Sequence, residues 1–232
     1  MLVPKKYLSN VPLIALFAAN SIPLFGVLLF RWDAFLIVLL YWSENLAIGF
    51  YNILKMAFAS VPRSAKEPRI AAHLSKLFLI PFFIIHYGGF TAGHGFFILA
   101  MFKKGEGGDI MEGDAWPCFL VFVQLLFNVI RQVYSVIPAN MRFVILALFV
   151  SHGVSFVYNY LLKREYATAN LQMLMFRPYG RIVIMHIAVL GGGFLMMAIG
   201  SPAALLIALV ILKTILDAAL HLREHSKREG VK

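Results

Sequence analysis

Apolar residues run along this chain in long stretches that end at charged residues, at proline or at glycine. A helix needs about 20 apolar residues to cross the roughly 30 Å hydrocarbon core of a bilayer. The pattern therefore predicts an all-α fold, a single polytopic transmembrane helix bundle over residues 1–232 with seven spans. The predicted spans lie at about 9–30, 34–56, 74–102, 116–136, 141–162, 182–199 and 203–222.

The fourth of these stretches is the weakest candidate because it contains Arg131. Lysine and arginine occur on both sides of the predicted spans, so the excess of positive charge in cytoplasmic loops does not fix the orientation. The basic segments 57–72 and 163–181 and the basic carboxyl-terminal tail lie on one face only if one span does not cross. Six spans are therefore the alternative.

Composition agrees with a membrane protein. Only 14% of the residues are charged, whereas an average soluble domain has about a quarter. We therefore expect an integral, multi-pass protein of the cell (inner) membrane, with the lipid bilayer as its first partner. The net charge of +10 lies mainly in helix ends and loops, which predicts contact with anionic lipid headgroups and not with nucleic acid. The single cysteine, Cys118, excludes an internal disulfide.

Glu44 is the most informative residue of the sequence. It is the only formally charged residue between Asp33 and Lys55, and it lies near the centre of the second predicted span. An ionised carboxylate in hydrocarbon costs several kcal/mol unless it is paired, protonated or hydrated. We therefore expect Glu44 to take part in function, and the structural alternative is a pair with Arg131 or a hydrogen bond from an asparagine.

Other polar residues recur inside the predicted spans at helical spacing. Asn45 and Asn52 are seven apart, and Gln124, Asn128 and Arg131 follow the i, i+4, i+7 pattern, so each set lies on one helix face. At about 1.5 Å per residue, five ionisable residues fall within a slab about 10 Å thick. These residues are Glu44, His94, His152, His186 and Asp217.

Imidazoles and carboxylates are the usual ligands of catalytic zinc and of non-haem iron. The sequence therefore predicts a divalent metal, zinc or iron, bound by some of the intramembrane ligand candidates. These candidates are His86, His94, His152, His186, Asp217 and His221. His86 and His94 are about 12 Å apart along an unbroken helix, so a metal shared by both requires a break at Gly88-Gly89.

Two stretches carry a resemblance to a known family. The first is Tyr41-Trp42-x-Glu44-Asn45 with Gly49, Asn52, Lys55 and Met56, and the second is His86-Tyr87-Gly88 with Phe90 and His94. They resemble motifs of an uncharacterised family of prokaryotic multi-pass membrane proteins, classed only as a domain of unknown function. The resemblance implies no activity, but it marks Glu44, Asn45, Asn52, His86 and His94 as the positions to test first.

The sequence supports several functional hypotheses. The leading one is a metal-dependent intramembrane enzyme, a hydrolase of a lipid or another membrane-embedded substrate, with Glu44 as general acid and base, Asn45 beside it and Arg131 binding an anionic headgroup. The alternative is a proton-coupled transporter that uses Glu44 and the intramembrane histidines. Haem ligation by two histidines and a purely structural role for the polar residues also remain open.

Overall fold

A computed structural model describes residues 29–60, 69–102, 110, 114–201, 205–212 and 214–215. All regular secondary structure in these ranges is helical. The α-helices are α1 (Ala34–Phe58), α2 (Arg69–Met101), α3 (Leu120–Val136), α4 (Ala139–Ser155), α5 (Leu171–Phe176) and α6 (Tyr179–Ile199). A π-helical turn, Phe156–Leu162, continues α4, and a short 3-10 helix covers Glu165–Ala167.

Four helical segments in the described part of the chain are long and apolar enough to cross a membrane. They are Ala34–Phe58, Leu74–Met101, Ala139–Leu162 and Leu171–Ile199. They overlap the second, third, fifth and sixth predicted spans, and the last of them begins 11 residues before the predicted start at 182; the fourth predicted span forms the shorter apolar helix α3, of 17 residues. The first predicted span falls outside the described residues except for its helical end at 29–30, and the seventh is helical at 205–212 and 214–215. The all-α prediction is thus confirmed, and the count of seven spans stays a prediction.

The start of α1 follows from the polar residues that precede it. Arg31 has a left-handed backbone with φ 56°, which turns the chain, and Trp32 is exposed. The Asp33 carboxylate then accepts a hydrogen bond of 2.9 Å from the backbone N–H of Phe35. This bond satisfies one of the N–H groups that every helix leaves without an intrahelical partner at its first turn.

The chain divides into two compact units, and the boundaries fall inside α1 and inside α6. One unit comprises residues 1–38 and 184–232, and the other comprises 39–183. In the first unit, a Cβ added to Gly192 of α6 would lie 2.8 Å from the Cα of Leu205. The glycine therefore lets the helical segment 205–212 approach α6 closely, as the triple glycine 191–193 predicts.

The core of the second unit is formed where α1, α2, the π-helical turn, α5 and the start of α6 meet. Buried side chains of this core are Met56, Phe83, Tyr87, Phe156, Tyr160, Leu174, Met175 and Ile182. The segment 163–181 resembles an interfacial amphipathic piece in sequence. In the structure Leu174 and Met175 of its helix α5 are buried in this core, and the interfacial location stays a prediction.

Helix α2 runs without interruption through Pro81 and through its glycines. The proline and the glycines make a straight helix doubtful from the sequence alone. The helix nevertheless has no break at Gly88-Gly89, which a metal shared by His86 and His94 requires. Added Cβ atoms at Gly88 and Gly89 would lie 3.3 Å from Leu126 and Phe122 of α3. The glycines therefore provide a contact surface for α3, and this packing offsets their low helix propensity.

Candidate functional site

Glu44 forms an ion pair with Arg181, and the two residues lie on different helices. Oε1 of Glu44, on α1, is 2.9 Å from Nη1 of Arg181, on α6. The side chains are 20% and 30% exposed, so the pair is largely enclosed and still accessible. An ion pair of this kind reduces the cost of a charge in an apolar environment, because each group replaces part of the other's lost hydration.

Tyr179 fixes the beginning of α6 against α2 and thereby places Arg181. The hydroxyl of Tyr179 shares a hydrogen bond of 2.9 Å with Nδ1 of His86. The Tyr179 ring also packs edge-on against Phe83 and Tyr87, with centroids 6.1 Å and 6.0 Å away. His86, itself exposed, therefore binds an aromatic residue of α6, two positions before the arginine that meets Glu44.

A second ionisable group, His152 of α4, lies within electrostatic range of both members of the pair. On α1, Glu44, Tyr51 and Lys55 follow the i, i+7, i+11 spacing of one helix face. Tyr51 reaches α4 beside His152, since a Cβ added to Gly153 would lie 2.5 Å from the Tyr51 hydroxyl. Glu44 of α1, Arg181 of α6 and His152 of α4 therefore lie near one another, and the first two form the ion pair.

The two asparagines of α1 have structural partners. Asn45 is buried, and its Nδ2 donates to the carbonyl of Tyr41 on the same helix at 3.3 Å, while its own carbonyl accepts from the Tyr87 hydroxyl at 3.1 Å. Asn52 is also buried, and its Nδ2 donates to the carbonyl of Leu174 at 3.0 Å. Both asparagines therefore hold neighbouring segments in place, and the catalytic role of Asn45 stays a prediction.

Arg131 lies on a helix face that turns to the preceding loop. On the same stripe of α3, the side-chain oxygen of Gln124 accepts from the N–H of Trp116 at 2.8 Å. Asn128 donates to the carbonyl of Ile110 at 2.8 Å. Arg131 itself is exposed. Gln124 and Asn128 of this stripe thus bond to the preceding loop, and the residue that pairs with Glu44 is Arg181 and not Arg131.

The histidines do not converge in the described part of the chain. Among its His, Cys, Asp and Glu side chains, no group of three is placed to hold a metal ion. His94 is buried in α2, His86 binds Tyr179, and His152 lies near Glu44. His186 is exposed on the part of α6 that belongs to the other unit. Asp217 and His221 lie outside the described residues, so the metal site stays a prediction.

Sequence reasoning identified Glu44 and missed both Tyr179 and Arg181. The signal was present, because Tyr179-Gly180-Arg181 directly precedes the apolar run at 182–199. An arginine and a tyrosine at the end of an apolar run usually mark the membrane interface. Position in the sequence alone therefore gives Arg181 no partner, and only the contact between α6 and α1 shows its ion pair with Glu44.

The comparison with protein families agrees with the resemblance in the sequence. The model of DUF6498, a family of unknown function, matches residues 2–232. Neither a search of curated proteins nor a search of solved structures finds a match.

Proposed function

This chain belongs to DUF6498, and from its geometry we propose that it is a multi-pass membrane transporter that couples the movement of a small anion to that of a proton. The observation that carries the proposal is the ion pair between Glu44 and Arg181, which joins two apolar helices. Both helices belong to segments that are long and apolar enough to cross a membrane.

The coupling follows from the cost of an unpaired charge between apolar helices. Glu44 is neutralised either by Arg181 or by a proton. When a proton binds Glu44, the Arg181 guanidinium is released and binds the carboxylate or phosphate of a substrate through its planar fork of N–H donors. When the anion leaves, Arg181 returns to Glu44 and displaces the proton. One proton and one negative charge move together, so neither step leaves an isolated charge.

His152 supplies a group that accepts the proton from Glu44. It lies within electrostatic range of both Glu44 and Arg181, and it is partly exposed. An imidazole is suited to this step because its ordinary pKa lies near neutrality. His86 has a different role in the proposal, since through Tyr179 it positions the helix turn that carries Arg181.

The geometry favours transport over the metal-dependent hydrolase that the sequence first predicts. A hydrolase of that type needs about three ligands around one ion, with an open position for water. The described residues instead offer a carboxylate, Glu44, paired with a cation, Arg181. In the proposed coupling, a proton and the cation compete for this carboxylate. The hydrolase stays a prediction that depends on Asp217 and His221.

The experiment is proton-driven anion flux in liposomes that contain the purified full chain and an entrapped pH-sensitive dye. An inward proton gradient is applied in the presence of inorganic phosphate or of succinate. We expect the wild type to move protons only when one of the anions is present. We expect Glu44→Gln and Arg181→Gln to reduce this flux at least tenfold, because each removes one half of the exchange.

Glu165→Gln serves as the matched control. Glu165 is an exposed carboxylate in the 3-10 helix that follows the π-helical turn, and its substitution removes the same charge outside the site. We expect its flux to equal that of the wild type. Anion-dependent flux that survives in Glu44→Gln would refute the proposal, as would a wild type that shows none with either anion.

A further inference from the structure

A cavity lies away from the ion pair, on another face of α1. It has a volume of about 360 Å³ and is open on one side, and its walls come from α1, α2, α3 and α4. On α1 the wall includes Trp42, Leu46, Gly49 and Ile53, which follow the i, i+4, i+7, i+11 spacing. Glu44 lies about 200° around the helix from Trp42, so the cavity and the ion pair occupy different faces.

The interior of this cavity suits an apolar occupant. Three hydroxyl groups of its wall are already used within the protein: Ser43 donates to the carbonyl of Leu39, Thr91 to that of Tyr87, and Tyr87 to that of Asn45. Most other wall residues are aliphatic or aromatic. A cavity with such walls holds hydrocarbon better than water, because water needs two or more polar partners.

A cation lies beside one end of the cavity. Tyr134 and Ile137 form the wall where α3 ends, and α4 begins two residues later at Ala139. The guanidinium of Arg142 lies 4.0 Å from the centroid of the Tyr134 ring, and its Nη2 donates to the Tyr134 carbonyl at 3.2 Å. Its buried Nε has no hydrogen-bond partner among the described residues.

An apolar cavity with a guanidinium at one end matches a ligand that has a hydrocarbon chain and an anionic head. We propose that this cavity binds one acyl chain of an anionic phospholipid, with Arg142 contacting the phosphate. The turn between α3 and α4 at Pro138 places Arg142 in the first turn of α4, and in the proposed membrane location such a helix end lies beside the headgroups. Of the proposed function, this inference uses the membrane location and does not use the transport of an anion.

The test is native mass spectrometry of the delipidated full chain in detergent, titrated with phosphatidylglycerol or with phosphatidylcholine of identical acyl chains. We expect one phosphatidylglycerol per chain and at least a tenfold preference over phosphatidylcholine. Both lipids carry a phosphodiester, so the preference comes from the quaternary ammonium of phosphatidylcholine, whose positive charge offsets the phosphate and repels the Arg142 guanidinium. We expect glycerol 3-phosphate at millimolar concentration not to displace the lipid, since it lacks the acyl chain.

Two pairs of variants distinguish binding of the lipid's acyl chain from binding of its headgroup. Leu46→Trp fills the cavity and should abolish retention of both lipids, whereas Leu40→Trp, on the same helix outside the cavity wall, should not. Arg142→Gln should reduce phosphatidylglycerol binding to the level of phosphatidylcholine. Its control is Lys163→Gln, because Lys163 also lies over a tyrosine ring, that of Tyr158 at 4.7 Å, near the far end of the same helical segment.

Crosslinking keeps the test decisive if a variant does not fold. A phosphatidylglycerol with a diazirine in its acyl chain should label the wild type within 42–53, 83–91, 126–137 or 145–149, the segments that form the wall. A wild type that binds no lipid, labels only elsewhere, or binds both lipids equally would overturn the inference, as would Arg142→Gln with wild-type selectivity. None of these results would contradict the transport proposal, because that proposal is tested by a separate measurement, the proton flux in liposomes.

Discussion

At the residue scale, glycines decide how closely the aromatic side chains of α1 and α2 can pack. A Cβ added to Gly95 would lie 2.7 Å from the Trp42 indole and 2.6 Å from Val129. The indole N–H in turn donates to the carbonyl of Thr91 at 2.7 Å. Gly49 plays the same part for the ring of Tyr87. Since these rings are buried and hydrogen-bonded, they have little room to move.

Gly95→Ala should therefore destabilise the protein by about 1–3 kcal/mol, the usual cost of overpacking a rigid core. The measurement is helix content by circular dichroism during unfolding of the full chain in mixed detergent with increasing dodecyl sulfate. The matched control is Gly93→Ala on the same helix, where the added Cβ meets nothing within 4 Å. Alanine should be neutral or slightly stabilising there, because it has a higher helix propensity than glycine. Equal losses in both variants would contradict the packing argument.

The importance of Glu44 could be predicted from the sequence, whereas its partner could not. One acidic residue in the middle of an apolar run is costly wherever the helix packs, so the sequence alone indicates that it has a partner. The identity of the partner depends on a contact between Glu44 and Arg181, which are 137 positions apart in the sequence. Arg131 carries the same guanidinium group, so residue type does not distinguish the two arginines. Helical spacing places Arg131 on one helix face with Gln124 and Asn128, but it does not show what that face contacts. In the structure Gln124 and Asn128 contact the preceding loop.

At the scale of elements, the short helix α5 depends on partners outside itself. With six residues it is too short to be stable alone. Asn170 caps its first turn by accepting from the N–H of Met173 at 3.0 Å, and Asn52 of α1 donates to the Leu174 carbonyl. Leu174 and Met175 are buried in the core of the second unit. This helix leads directly into the turn that carries Tyr179 and Arg181.

Asn52→Leu should loosen α5, because the buried carbonyl of Leu174 loses its donor at a cost of about 1–3 kcal/mol. Hydrogen exchange followed by mass spectrometry should show faster exchange at 171–176 and little change in α3. Asn159→Leu is the control, since Asn159 makes its hydrogen bonds with Ser155 and Lys163, one turn away on the same segment. If exchange at 171–176 is the same in Asn52→Leu and in the wild type, α5 does not depend on this bond.

The ends of α1 and of α4 with its π-helical turn could be predicted from the sequence, whereas the packing role of the glycines in α2 and the burial of Leu174 and Met175 in the segment 163–181 could not. Apolar length fixes where a helix can run, and α1 and α4 with its π-helical turn begin and end within two residues of the predicted spans. Glycine in a helix, however, has two physical meanings, since it lowers helix propensity and also permits close approach. In α2 close approach is the more important effect, because α3 packs on Gly88 and Gly89.

At the scale of the whole molecule, the proposed membrane location explains the many large apolar side chains on the surface. Phe127, Phe143, Phe194 and Met197 are each more than 60% exposed. Exposure of these side chains is unfavourable in water, whereas it is not unfavourable among lipid tails. The candidate spans include some that are scarcely buried inside the protein, such as Ala139–Leu162, where 6% of the most apolar window is buried.

The full chain should accordingly remain in the membrane fraction after washing at alkaline pH in carbonate, and it should be released only by detergent. Fractionation followed by immunoblotting of a tagged full-length chain measures this. A known peripheral protein in the same preparation serves as the control, since it should appear in the carbonate supernatant. Recovery of the chain with that control would contradict a membrane-spanning arrangement.

Exchanging the two charges of the ion pair tests whether the Glu44 carboxylate has a functional role or only a structural one. In the double variant Glu44→Arg with Arg181→Glu, attraction between the two helices is retained, but the proton-binding group moves from α1 to α6. We predict that this variant recovers much of the stability lost in Glu44→Arg alone, and that its anion-dependent proton flux stays at least tenfold below that of the wild type. Wild-type flux from the exchanged pair would show that the pair only holds the helices together, and would contradict the proposed coupling.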